Sequence, residues 1–159
     1  MNEIDKLHQL GQSIWYDNIE RKLLKNGEME RMIAAGEIRG VTSNPSIFQK
    51  AIANSTDYDS AIQPMAWADW SPEDIFFQLA IEDIQQTADL FLPLYQETNG
   101  SDGYISLEVN PKLAYDTQGT LIQAKELWDS VNRKNLMIKI PATKEGLPAI
   151  RQAIAAGIN

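Results

Sequence analysis

An α/β fold of parallel βα units is the architecture this sequence predicts, and three observations predict it. Short apolar runs alternate with longer amphipathic stretches, the pattern of strands joined by crossover helices. Helix-start and helix-stop chemistry falls at the boundaries between them. The runs also end, one after another, in polar residues of the kind that parallel sheets present at their carboxyl edges.

Gly11 stops a first amphipathic helix, and residues 13–17 read as the first strand. Two short helices follow over residues 19–35, broken at Asn26-Gly27 and ended by Gly36, which suits the left-handed position just past a helix. Residues 38–42 are a second strand. Asn44-Pro45 then has the chemistry of a helix start, since asparagine accepts from orphan N–H groups and proline fits the first helical position. Ser71-Pro72-Glu73-Asp74 repeats that signal before a long helix over residues 72–96. Its buried stripe is expected to be Ile75, Phe76, Leu79, Ala80, Thr87, Phe91 and Tyr95. After the turn cluster at residues 99–103, a third strand covers 104–109, a helix 117–132 and a fourth strand 136–140. A last helix covers 144–156 and stops at Gly157, and Ile158-Asn159 would begin another strand.

A barrel of βα units takes about 250 residues, and this chain has 159. The expectation is therefore a single truncated domain over residues 1–159, the N-terminal part of a TIM (β/α)8 barrel with about four strands. A complete four-stranded α/β sandwich is the alternative.

Composition narrows the function. Hydrophobic content of 43% and charged content of 23% fit a soluble globular protein. No apolar stretch approaches the length of a membrane-spanning helix, and the first residues lack the pattern of a secretory signal. A cytoplasmic protein without a membrane partner is expected. The net charge of −8 is spread along the chain, which argues against nucleic-acid binding. It leaves room for an anionic small substrate met by local cations. Without cysteine, and with His8 as the one histidine, no disulfide, thiolate nucleophile or metal centre is expected.

The chemistry centres on Lys139, which interrupts the apolar run Leu136-Met137-Ile138-Lys139-Ile140 before Pro141. Burial disfavours an ammonium and lowers its pKa, and a lysine so perturbed is a nucleophile for carbonyls. The same run also reads as a strand with one polar-face residue whose stem packs while its head reaches water. The other strand ends supply company. The first ends at Asp17-Asn18, the second at Thr42-Ser43-Asn44, the third carries Glu108 and Asn110, and Thr143 follows the fourth. An amine attacking a ketone gives a carbinolamine and then an iminium ion. The iminium accepts the electron pair of an adjacent C–C bond as that bond breaks. Each step needs a positioned carboxyl for proton transfer, and Asp17 and Glu108 can divide that work. Asn44 and Thr143 can hold substrate hydroxyls. Asp17 and Asn44 also read as N-caps, and Glu108 as a solvent-facing strand residue.

Four ordered segments carry a family resemblance. Gly40-Val41-Thr42-Ser43-Asn44-Pro45-Ser46-Ile47-Phe48 and Met137-Ile138-Lys139-Ile140-Pro141-Ala142-Thr143 resemble the donor-binding and Schiff-base lysine motifs of the transaldolase family. The segments around Asp17 and Glu108 resemble those carrying its catalytic acids. The resemblance covers about the first half of a family member. It implies a (β/α)8 barrel that moves a dihydroxyacetone unit between sugar phosphates in the pentose phosphate pathway. Lys139 is then the nucleophile, Asp17 the acid/base at bond cleavage, Glu108 the partner of a water during imine formation, and Asn44 a donor contact. Ser43, Thr42 and Thr143 are assigned to substrate binding, and no cofactor is implied. The serine and arginine that hold phosphate in relatives have no counterpart, and nothing in the pattern assigns Arg21, Arg39 or Lys144 to that task. Weak or absent turnover is expected, together with self-association of the half-barrel through its open sheet edge. Two further readings remain: a lysine-dependent aldolase using free dihydroxyacetone, and an inert half-barrel serving in assembly.

Overall fold

The computed structural model describes residues 3–159. Four strands, β1 (Trp15–Tyr16), β2 (Gly40–Val41), β3 (Tyr104–Glu108) and β4 (Leu136–Lys139), lie side by side in chain order. All neighbours are parallel, with a register running from Trp15 opposite Gly40 to Glu108 opposite Lys139. In a doubly wound sheet the strand order reverses at a switch point. Here it never reverses, as in the wall of a TIM barrel.

The helices are α1 (Glu3–Gln9), α2 (Arg21–Lys25), α3 (Glu28–Ala34), α4 (Pro45–Ala53), α5 (Asp59–Trp67), α6 (Pro72–Glu97), α7 (Thr117–Val131) and α8 (Gly146–Ala155). Gly36 ends α3 at φ 67°. Its N–H donates to the Ile33 carbonyl and that of Glu37 to Met32, the paired closure that a left-handed glycine permits. Ser71 caps α6 by accepting from the Asp74 N–H, as expected. Among the described residues no helix is long and apolar enough to cross a membrane.

The period-two alternation of strand side chains divides the sheet. Val41, Ile105, Leu107, Val109 and Leu136 pack with Ala80, Ile84, Ala88 and Phe91 of α6 and with Ala124, Leu127 and Val131 of α7. The alternate residues turn inward, where Trp15, Thr42, Ser106, Met137 and Lys139 line a cavity of about 570 Å³. Gly40 belongs to this inner face by necessity. A Cβ there would lie 2.6 Å from the Trp15 ring and 2.9 Å from the Tyr104 carbonyl oxygen, so only glycine lets the indole cross.

The structure departs from expectation in three places. The expected strands 13–17 and 38–42 pair only at Trp15–Tyr16 and Gly40–Val41, so Asp17, Thr42 and Ser43 lie beyond the ladder. Helix α5 was not foreseen; it carries Pro64 in its interior and packs on a small cluster around Tyr58 and Leu79. The buried centre of α6 includes Asp83, Ile84 and Ala88, whereas Ile75, Phe76 and Tyr95 are only half-buried.

Asp83 is wholly enclosed. Arg21 Nε donates to its Oδ1 at 2.8 Å, and the Tyr58 hydroxyl donates to its Oδ2 at 2.8 Å. The Arg21 guanidinium also lies 4.6 Å from the centre of the Tyr58 ring and donates to Glu82 at 2.9 Å. Arg21 is therefore a core residue that pins α2 to α6.

Candidate active site

Parallel register alone brings the central pair together. Glu108 and Lys139 are direct partners across β3 and β4, strands roughly 4.8 Å apart, and both side chains point to the inner face. Lys139 Nζ lies 3.1 Å from Glu108 Oε2 and donates to Asn44 Oδ1 at 2.7 Å.

Asn44 occupies the N-cap position of α4 with extended backbone and Pro45 after it, yet its side chain makes no capping bond. Its amide instead spans the site. Nδ2 donates to Asp17 Oδ1 at 3.0 Å while Oδ1 accepts from the lysine. The reversed amide would set NH₂ against an ammonium and oxygen against a carboxylate, so the charges on either side dictate the orientation. Asp17 also accepts from Thr42 Oγ1 at 2.5 Å. The cap reading of Asp17 is corrected too, because Glu20 holds the N-cap position of α2. Glu108, Lys139, Asn44, Asp17 and Thr42 thus form one continuous chain of polar contacts.

The lysine is less sheltered than its apolar run implied. Its side chain is 32% exposed and that of Glu108 24%, and Asp17 is exposed. The reason is again alternation. Ile138 and Ile140 pack toward the helices, whereas Lys139 faces the open cavity. Hydrogen-bonding partners, more than a dry wall, hold the amine in place.

Two residues assigned to substrate have their hydroxyls engaged elsewhere. Ser43, 1% exposed, donates to the Ser106 carbonyl at 2.6 Å. Thr143 donates to the Ala114 carbonyl and accepts the Gly146 N–H at 3.0 Å, which ties the β4–α8 turn to the loop after β3. Thr143 does not join the lysine network. A residue that sequence reasoning did not assign is Ser106, whose buried hydroxyl has no hydrogen-bond partner among the described residues. Its place two positions before Glu108, on the same strand face, was the available signal.

Fold and site together define a barrel-wall protein with a strand-end lysine beside one carboxylate and linked through an asparagine amide to a second. Residues 14–159 match the model of the family described as Transaldolase/Fructose-6-phosphate aldolase, and the chain belongs to that family. It is similar to the transaldolase of Trichodesmium erythraeum, with 47% identity over 99% of this chain and 42% of the relative. The transaldolase of Thiobacillus denitrificans is 45% identical over 100% of this chain and 44% of its own length. Transaldolase 2 of a Nostoc species is 42% identical, again over 100% of this chain and 42% of its own length. The chain spans less than half the length of these curated relatives.

Proposed function

We propose that Lys139 forms a Schiff base with a ketose phosphate and serves the transfer of a dihydroxyacetone unit between sugar phosphates. The observation that carries this reading is the seat of the lysine nitrogen, between Glu108 and an asparagine amide that leads on to Asp17. Fructose 6-phosphate or sedoheptulose 7-phosphate is the donor, and glyceraldehyde 3-phosphate or erythrose 4-phosphate the acceptor. The setting is the non-oxidative pentose phosphate pathway in the cytoplasm.

The steps follow from the groups present. Lys139 gives a proton to Glu108, the carboxylate within reach, and its nitrogen attacks C2 of the ketose. The carbonyl oxygen takes up a proton to give the carbinolamine. Glu108, acting with a water, then protonates the departing hydroxyl, and loss of water leaves the iminium ion. Asp17 removes the C4 hydroxyl proton. The C3–C4 bond breaks, its electron pair moves into the iminium to make an enamine, and the aldehyde leaves. The enamine carbon next adds to the acceptor aldehyde, Asp17 returns a proton to the new hydroxyl, and water hydrolyses the imine. Asn44 keeps Asp17 and the nitrogen at a constant spacing throughout, a geometric contribution of the kind that makes bound reactants far more reactive than free ones.

Borohydride reduction with fructose 6-phosphate, followed by peptide mass analysis, tests the proposal. A reduced adduct confined to Lys139 is expected. Modification scattered over exposed amines such as Lys112 and Lys125 would refute it. Self-association through the outer strands β1 and β4 belongs to the same reading, supported by the exposed Leu147 and Ile154 of α8. Light scattering that returns a monomer at micromolar concentration counts against that part.

A further inference from the structure

The lysine amine is seated by one contact from each of two elements, Asn44 after β2 and Glu108 at the end of β3. Its position is therefore only as well defined as the spacing between those elements. The paired register of β2 with β3 reaches Val41 opposite Ile105. Beyond it the Thr42 N–H donates to the Tyr16 carbonyl of β1 at 2.9 Å. At that point Ser43 reaches back to β3, its hydroxyl donating to the Ser106 carbonyl at 2.6 Å. Donor and acceptor residues are 1% and 3% exposed, so water does not compete for the bond. Asn44 is the next residue after the donor, and Glu108 stands two residues after the acceptor.

We propose that Ser43 is a positioning residue of the lysine site, whose tether to β3 fixes the distance between Asn44 and Glu108 and so the seat of the Lys139 nitrogen. The role differs from the substrate contact that its place in the motif suggested. It rests on the reading of Lys139 as the reacting amine. Without the hydroxyl, the Ser106 carbonyl loses its partner and the turn carrying Asn44 is held only by β1 and by α4. The amine then samples positions in which one of its two acceptors is out of reach. A displacement of about 1 Å in such a site lowers rates by on the order of 100-fold, without removing any group that contacts the ketose.

The test is the saturation behaviour of imine trapping on Lys139 with fructose 6-phosphate and borohydride. Ser43→Ala is expected to lower the limiting trapping rate by roughly 10- to 100-fold while leaving the half-saturating ketose concentration within about 3-fold. Ser43→Thr, which restores a hydroxyl, is expected to return the rate to within about 3-fold of the unsubstituted chain. Should Ser43→Ala not fold, Ser43→Cys keeps the volume with a weaker donor and is expected to fall between the two. An unchanged limiting rate in the alanine or cysteine variant overturns the proposal, as does a threonine variant as slow as alanine. Absence of any Lys139 adduct in the unsubstituted chain overturns the Schiff-base reading as well, whereas an adduct with an indifferent Ser43 overturns the tether alone.

Discussion

Lys139→Met is expected to abolish the reducible adduct, whereas Asp17→Asn keeps the adduct and halts carbon–carbon cleavage. Methionine matches the length of the lysine stem, so the substitution removes the nucleophile with little change in packing beside Met137. Among the described residues no other amine contacts Glu108 or Asn44, so trapping is expected to fall to the background of exposed lysines. Asp17→Asn is a different experiment. An asparagine oxygen still accepts from Thr42 and Asn44, so the seat of the amine survives and iminium forms. In the proposed mechanism what is lost is the base that takes the C4 hydroxyl proton, a contribution of about 10²- to 10⁴-fold for a positioned general base. Glu108→Gln is expected to show the converse: slow adduct formation by a similar factor, and normal release of aldehyde from the adduct that does form. Single-turnover trapping paired with an assay of released aldehyde separates the three. If Asp17→Asn trapped no better than Lys139→Met, the division of labour between the carboxyls would be wrong.

The gathering of Glu108 and Lys139 at one sheet edge was legible before any coordinates, because strand-end position and alternation are local properties of a sequence, whereas the roles proposed for the carboxyls came from the family resemblance. Glu108 and Lys139 each stood near the end of an apolar run with the right parity, and parallel pairing did the rest. Asn44 shows where local reading stops. Asn-Pro does mark the start of α4, but with proline supplying no N–H one capping demand is absent. The amide is drawn instead to a cation 95 residues further along the chain, and no local motif records that competition. The hydrogen-bond partners of Ser43 and Thr143 were out of reach for the same reason. Each hydroxyl bonds to a carbonyl distant in sequence, and which carbonyl lies within reach is a tertiary fact. The partial exposure of Lys139 matched one of the two readings its run allowed, since an apolar run shows that a strand packs on one side and is silent about the other.

The buried triad of Arg21, Tyr58 and Asp83 was the least legible feature, its members being 25 to 62 residues apart, and it carries the largest stability prediction. Asp83→Ala is expected to destabilise the fold by about 3–5 kcal/mol, because it removes the enclosed carboxylate and leaves the buried Arg21 charge with only the partly exposed Glu82. That is a large share of the roughly 5–15 kcal/mol that holds a domain together. Burial pulls the Arg21 guanidinium down, but Asp83 and Glu82 together outweigh it and Arg21 stays charged; the cost therefore falls on a true cation. Replacing both partners, Arg21→Met with Asp83→Leu, is expected to recover much of the loss, since the expense lies in the orphaned charge and not in the missing attraction. Urea unfolding midpoints for the single and double variants decide this, and a double variant no better than Asp83→Ala would show that the pair contributes net attraction. The third member sets a pH dependence. Burial, and then the nearby Asp83 charge, push the Tyr58 phenol above its ordinary value of 10.0. Above about pH 10 the unfolded chain has released that proton and the folded chain has not, so the unfolded state binds fewer protons and stability falls as pH rises. Below that pH the contribution is fully present. Unfolding midpoints near pH 9 and pH 11 are expected to differ more for the unsubstituted chain than for Tyr58→Phe, and an equal loss in both would assign the alkaline sensitivity to other groups.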